Sequence, residues 1–65
     1  MNKKQIIEIT KDAILFNIQT NLTKIEDLNQ NKIKFISDNL IRLTKDSRTD
    51  VYINTKDVKI IEVKK

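Results

Sequence analysis

The sequence predicts an α+β domain: one amphipathic helix packed on a small antiparallel sheet of four strands, or five if the N-terminal segment joins it. Two patterns along the chain carry this expectation. Apolar residues recur with a period near 3.6 between residues 11 and 28, and with a period of 2 from residue 32 onward. The third observation is size, since 65 residues form one small domain, taken as residues 1–65. Ile, Leu, Val and Phe supply 22 of those residues, enough for a collapsed core.

Residues 4–9, Lys-Gln-Ile-Ile-Glu-Ile, fit either a short first strand or an extra turn and a half of helix. Three Ile in four residues favour the strand, and the seven-residue interval from Ile7 to Ile14 favours helix. The strand is the preferred reading. From Lys11 to Leu28, Ile14, Leu15, Ile18, Leu22, Ile25 and Leu28 fall within one helical arc, and Phe16 alone lies outside it. Thr10 suits the N-cap of such a helix, Ile9 and Ile14 stand in hydrophobic-staple relation, and Asn29 suits a left-handed C-terminal cap.

Next, Lys32-Ile33-Lys34-Phe35-Ile36 and Leu40-Ile41-Arg42-Leu43-Thr44 read as a hairpin closed by Ser37-Asp38-Asn39, with Asn39 expected in the left-handed region. A three-residue loop sets Phe35 opposite Ile41 and Ile33 opposite Leu43 on one face. It sets Lys34 opposite Arg42 and Lys32 opposite Thr44 on the other, whereas a two-residue loop mixes Arg42 with Phe35. After the polar turn 45–49, Val51 and Ile53 alternate with Tyr52 and Asn54. A second turn, Asn54-Thr55-Lys56-Asp57, leads to a last strand in which the doublet Ile60-Ile61 suggests a bulge or burial on both faces. Ile33, Phe35, Ile41, Leu43, Val51 and Ile53 are expected to bury against Ile14, Ile18, Leu22 and Ile25. A helix followed by a meander with a short polar turn before its last strand also fits a small SH3-like or Sm-like barrel with an N-terminal helix. Such barrels bend a strand at glycines, and this chain has none, so the open sheet is preferred.

Composition narrows the function. With no Cys and no His, the chain has no disulfide, thiol nucleophile, imidazole base or usual zinc ligand, and with no Gly it has no phosphate-binding loop. Glu26 and Asp27 diverge on a helix, and Asp46, Asp50 and Asp57 sit in or beside turns, where Asp bonds its own backbone. The expectation is therefore a non-enzymatic protein with no metal and no cofactor. No run of apolar residues is long enough to span a membrane and no signal-type block follows Met1, so a soluble, cytoplasmic protein without membrane contact is expected.

The net charge is +4, and residues 1–31 sum to zero, so the whole excess lies in residues 32–65. Ile contributes 12 residues, Lys 11 and Asn 7, the usage of an AT-rich genome such as that of a low-GC bacterium or its mobile elements. The charge excess points to the outer face of the sheet, where Lys32, Lys34 and Arg42 stand beside Tyr52, with Arg48 in the next turn. A basic stripe with an exposed aromatic suits nucleic acid, through phosphate contacts and base stacking. The alternative is a small inhibitor or adaptor, of the kind a phage or mobile element encodes, whose basic face docks on an acidic protein surface and whose Phe16, Ile36 and Leu40 serve as apolar anchors. In either case a small core without a covalent staple, with unpaired strand edges, is expected to form a homo-oligomer.

Overall fold

The computed structural model describes residues 1–65, an α+β domain of one helix and two three-stranded antiparallel sheets. The helix comes first. α1 (Lys3–Thr10) opens on a capping box: the Asn2 side chain accepts the Gln5 N–H at 2.8 Å, and the Gln5 side chain accepts the Asn2 N–H at 2.9 Å. Lys3, Lys4, Gln5 and Glu8 are strong helix formers, and Ile6 and Thr10, one turn apart, supply the buried stripe. Residues 4–9 are thus helix rather than the expected strand. Thr10 closes that helix instead of capping another, its hydroxyl donating to the Ile6 carbonyl at 2.8 Å.

The helix expected over 11–28 is a hairpin of β1 (Leu15–Gln19) and β2 (Lys24–Leu28). β-branched and aromatic residues (Ile14, Phe16, Ile18, Thr20, Thr23) lose rotamer freedom in a helix, and Asn17 and Asn21 compete for its backbone bonds. In β1 the period is 2, with Phe16 and Ile18 buried between half-buried Leu15, Asn17 and Gln19. The Thr20 hydroxyl accepts the N–H groups of Leu22 and Thr23, both at 3.2 Å, which fixes the turn. Leu22, expected in the core, is 97% exposed on that turn, and Ile14 is 69% exposed.

Phe16 pairs with Leu28 but Ile18 with Ile25, so Glu26 and Asp27 together oppose Asn17 in a bulge. Asp27 adopts φ 57° there and is the sole residue with positive φ. In a chain without glycine, a short polar side chain fills the left-handed position, and the Asn17 Oδ1 accepts its N–H at 2.9 Å. The left-handed roles expected of Asn29 and Asn39 are not taken. Asn29, at φ −129°, caps a 3-10 turn, Gln30–Lys32, that redirects the chain into the second sheet.

β3 (Ile33–Phe35), β4 (Leu40–Asp46) and β5 (Thr49–Asn54) follow in the expected register. Ile33 pairs with Leu43, Lys34 with Arg42 and Phe35 with Ile41, and the Ile36 N–H donates to the Leu40 carbonyl at 2.9 Å across the three-residue loop. Asn54 caps a second 3-10 turn, Thr55–Asp57, which leads to β6 (Ile60–Lys64). β6 returns to pair with β1 without a bulge; Ile61 turns inward opposite Ile18, while Ile60, opposite Gln19, is exposed.

The strand orders are β2-β1-β6 and β3-β4-β5, so the single sheet of four or five strands is in fact two sheets of three, and an SH3-like barrel is not closed. The core between them joins Phe16, Ile18, Ile25 and Leu28 to Ile41, Leu43, Ile53 and Val58, under Ile6 and Ala13. Ile33, Phe35 and Val51 pack at its margin, half-buried.

Candidate functional site

The outward face of the second sheet follows from its register. Because Lys34 pairs with Arg42 and Arg42 with Tyr52, the three side chains form one row across β3, β4 and β5, about 10 Å wide at normal strand spacing. Lys34 is exposed, Arg42 half-buried and Tyr52 58% exposed. Inward neighbours Ile41, Leu43 and Ile53 anchor the same strands in the core, so the row stands on a rigid support.

On one side of this row lie Thr44 and Asp50, paired across β4 and β5. Lys32 is half-buried in the 3-10 turn rather than opposite Thr44, so it borders the face without belonging to the ladder. Arg48, exposed at the tip of the β4–β5 hairpin, donates its backbone N–H to the Asp46 carboxylate at 2.8 Å. That bond holds the Asp46 carboxyl below its ordinary pKa. On the other side lie exposed Ile36 and half-buried Leu40 and Asn54.

The cations of the face have no ion-pair partner. The ion pairs of the chain are Lys3–Asp38 at 3.8 Å, Lys11–Glu8 at 2.8 Å and Lys24–Glu62 at 2.9 Å, and none involves Lys32, Lys34, Arg42 or Arg48. The row offers a guanidinium and an ammonium for anionic oxygens beside a phenol ring with an open face. It brings together Lys34, Arg42 and Tyr52 as expected from sequence, with Arg48 and Lys32 at its borders. Phe16 is a correction: at 1% exposure it is the largest fully buried side chain of the core, so it offers no surface to a partner. The expected helix had placed it on the solvent side, whereas strand alternation turns it inward.

One surface feature was not expected. A groove of about 480 Å³ lies between the β1–β2 turn (Thr20–Thr23) and β5 (Val51–Asn54), and Asp57 also lines it. Leu22 and Tyr52 are its exposed apolar lining. The polar cluster Thr20-Asn21-Leu22-Thr23 carried the signal, as a turn between two period-2 segments.

Comparison with protein families, with curated proteins and with solved structures finds no match to this chain. No helix is long and apolar enough to cross a membrane.

Proposed function

We propose that this chain is a non-enzymatic binding protein whose β3-β4-β5 face engages nucleic acid. The observation that supports the reading is the row Lys34–Arg42–Tyr52, two cations without ion-pair partners beside an exposed aromatic ring on one rigid face. Phosphates take the cations and an unstacked base takes the ring, a combination suited to single strands. Arg48 and Lys32 extend the positive field to the borders of the face.

Tyr52 is the only tyrosine and there is no tryptophan, so intrinsic fluorescence reports directly on this surface. Titration with single-stranded and duplex oligonucleotides across a range of salt gives the test. Each phosphate contact contributes about 0.7 to 0.9 to the slope of log affinity against log salt, so Lys34→Ala and Arg42→Ala each make it shallower by that amount. Tyr52→Ala lowers affinity by about 1 to 3 kcal/mol per stacked base and leaves the slope unchanged. Absence of affinity at low salt, where screening is weakest, contradicts the reading.

A second reading is supported by Ile36, exposed beside the basic row with Leu40. An apolar anchor flanked by cations suits an acidic protein surface, and the chain then acts as an inhibitor or adaptor. In that case Ile36→Asp abolishes partner binding, and oligonucleotides do not compete.

A further inference from the structure

β5 is an edge strand, and its hydrogen-bonding pattern can be read from its ladder. The Thr55 N–H donates to the Asn39 carbonyl at 2.8 Å, in the same register that pairs Ile53 with Ile41 and Val51 with Leu43. Antiparallel ladders alternate, so Val51 and Ile53 exchange bonds with β4, while Asp50, Tyr52 and Asn54 direct their N–H and C=O groups away from it. The β3 side agrees: the Ile36 N–H donates to Leu40, which places Leu40 and Arg42 toward β3, and Ile41 and Leu43 toward β5. No strand lies beyond β5. Its open edge borders the groove walled by Thr20–Thr23.

The other edges are guarded. β3 has three residues, β2 is interrupted by the Asp27 bulge, and β6 ends on Lys64 between Lys59 and Lys65. β5, Thr-Asp-Val-Tyr-Ile-Asn, carries one charge in six residues and is rich in strand formers.

We infer that the outer edge of β5 is a two-fold seam that takes a second copy of this chain, antiparallel and centred on Tyr52. In this register the outward groups of Tyr52 meet those of Tyr52 in the second copy, and those of Asp50 meet those of Asn54. The edge is therefore complementary to itself: three outward residues on each side find hydrogen-bonding partners, and each Asp50 faces a neutral amide rather than a like charge. Seating a strand in the groove also covers Leu22, the most exposed apolar side chain of the chain. The seam joins two sheets into one of six strands, with the row Lys34–Arg42–Tyr52 continued as Tyr52–Arg42–Lys34. The pairing does not depend on what that face binds.

Asn54 makes the test clean. Its φ of −71° matches proline, and its N–H points out of the ladder, so Asn54→Pro keeps the fold and removes two bonds of the seam. Sedimentation equilibrium from about 10 μM to 1 mM chain is expected to show a dimer that does not grow further. Asn54→Pro is expected to be monomeric, with its circular dichroism unchanged. A charge series tests the register without proline. Asn54→Asp keeps a side chain able to cap the 3-10 turn at Lys56, where the Asn54 Oδ1 accepts the N–H at 3.1 Å, but sets two carboxylates opposite each other twice in the dimer. It raises the dissociation constant about 3- to 10-fold, and adding Asp50→Lys restores it. A wild-type monomer at about 1 mM, a folded Asn54→Pro variant that still dimerises, an open series of larger assemblies, or failure of Asp50→Lys to rescue Asn54→Asp each overturns the seam.

Discussion

The two sheets share a core and differ in what their outer faces do with charge. On β2-β1-β6, Glu62 is the centre of a closed polar network: its carboxylate accepts from Lys24 at 2.9 Å and from the Asn17 amide at 3.2 Å, and Asn17 in turn accepts the Asp27 N–H at the bulge. On β3-β4-β5, Lys34 and Arg42 face each other across the strands with no carboxylate between them. Like charges directly opposed in a sheet are unfavourable, so the second face holds a local cost that the first avoids. On the first face Glu62 is paired within the sheet, and on the second Lys34 and Arg42 have no ion-pair partner.

The largest test of this contrast lies under the faces. Phe16→Ala, beneath β1, removes a fully buried ring and is expected to cost about 3 to 5 kcal/mol, most of the stability of a domain this size, as read by urea unfolding. Phe35→Ala, beneath β3, removes a half-buried ring and costs less than about 2 kcal/mol. Equal losses would mean that the two sheets cover the core equally.

The bulge comes next. Asp27 holds φ 57°, where a β-branched side chain clashes with its own backbone, so Asp27→Val is expected to cost about 1 to 2 kcal/mol and Asp27→Gly to change stability by less than about 1 kcal/mol. The same unfolding curves check both, and a neutral Val variant contradicts the left-handed assignment.

The network on the first face also fixes a pH dependence. Hydrogen bonds from Lys24 and then Asn17 hold the Glu62 carboxyl below its ordinary value of 4.5, and the bond to Glu62 holds the Lys24 ammonium above 10.5. A lowered carboxyl stabilises the fold above its unfolded value and loses that contribution as pH falls through the folded value; a raised ammonium loses its contribution as pH rises past 10.5. Glu62→Gln is therefore expected to be less stable than wild type at neutral pH, with the difference vanishing in acid. Melting temperatures between pH 2 and pH 7 measure this, and a pH-independent difference contradicts it.

The smallest expected effect belongs to the second face. Lys34→Ala and Arg42→Ala change stability by no more than about 0.5 kcal/mol, since neither cation is paired. A large loss in unfolding experiments would assign both residues to the fold.

The second sheet was legible in the sequence because its apolar residues alternate except for Ile36 and Leu40 at the hairpin tip, and its loop length permits only one register that buries Phe35 with Ile41. That register carried the Lys34–Arg42–Tyr52 row with it. The first sheet was not legible, for two physical reasons. Its bulge places Ile25 and Leu28 three residues apart on the same face, a helical interval inside a strand. The exposed Leu22 and Ile14 then complete a false helical stripe with Ile18. In an Ile-rich chain, apolar spacing alone cannot separate these cases. The residue types between the apolar positions do: Lys, Gln and Glu around Ile6 favoured the helix that formed, and Asn and Thr around Ile18 the turn and strands. The open β5 edge lay beyond such patterns, because it depends on which strands become neighbours across the whole chain.

The most direct measurement is chemical-shift mapping of the backbone amides while a short single-stranded oligonucleotide is added at low salt. Perturbations are expected to concentrate at Lys34, Arg42 and Tyr52 and to extend to Arg48 and Lys32, with Asn17, Lys24 and Glu62 unmoved. Equal perturbation of both faces, or none at saturating oligonucleotide, would contradict it.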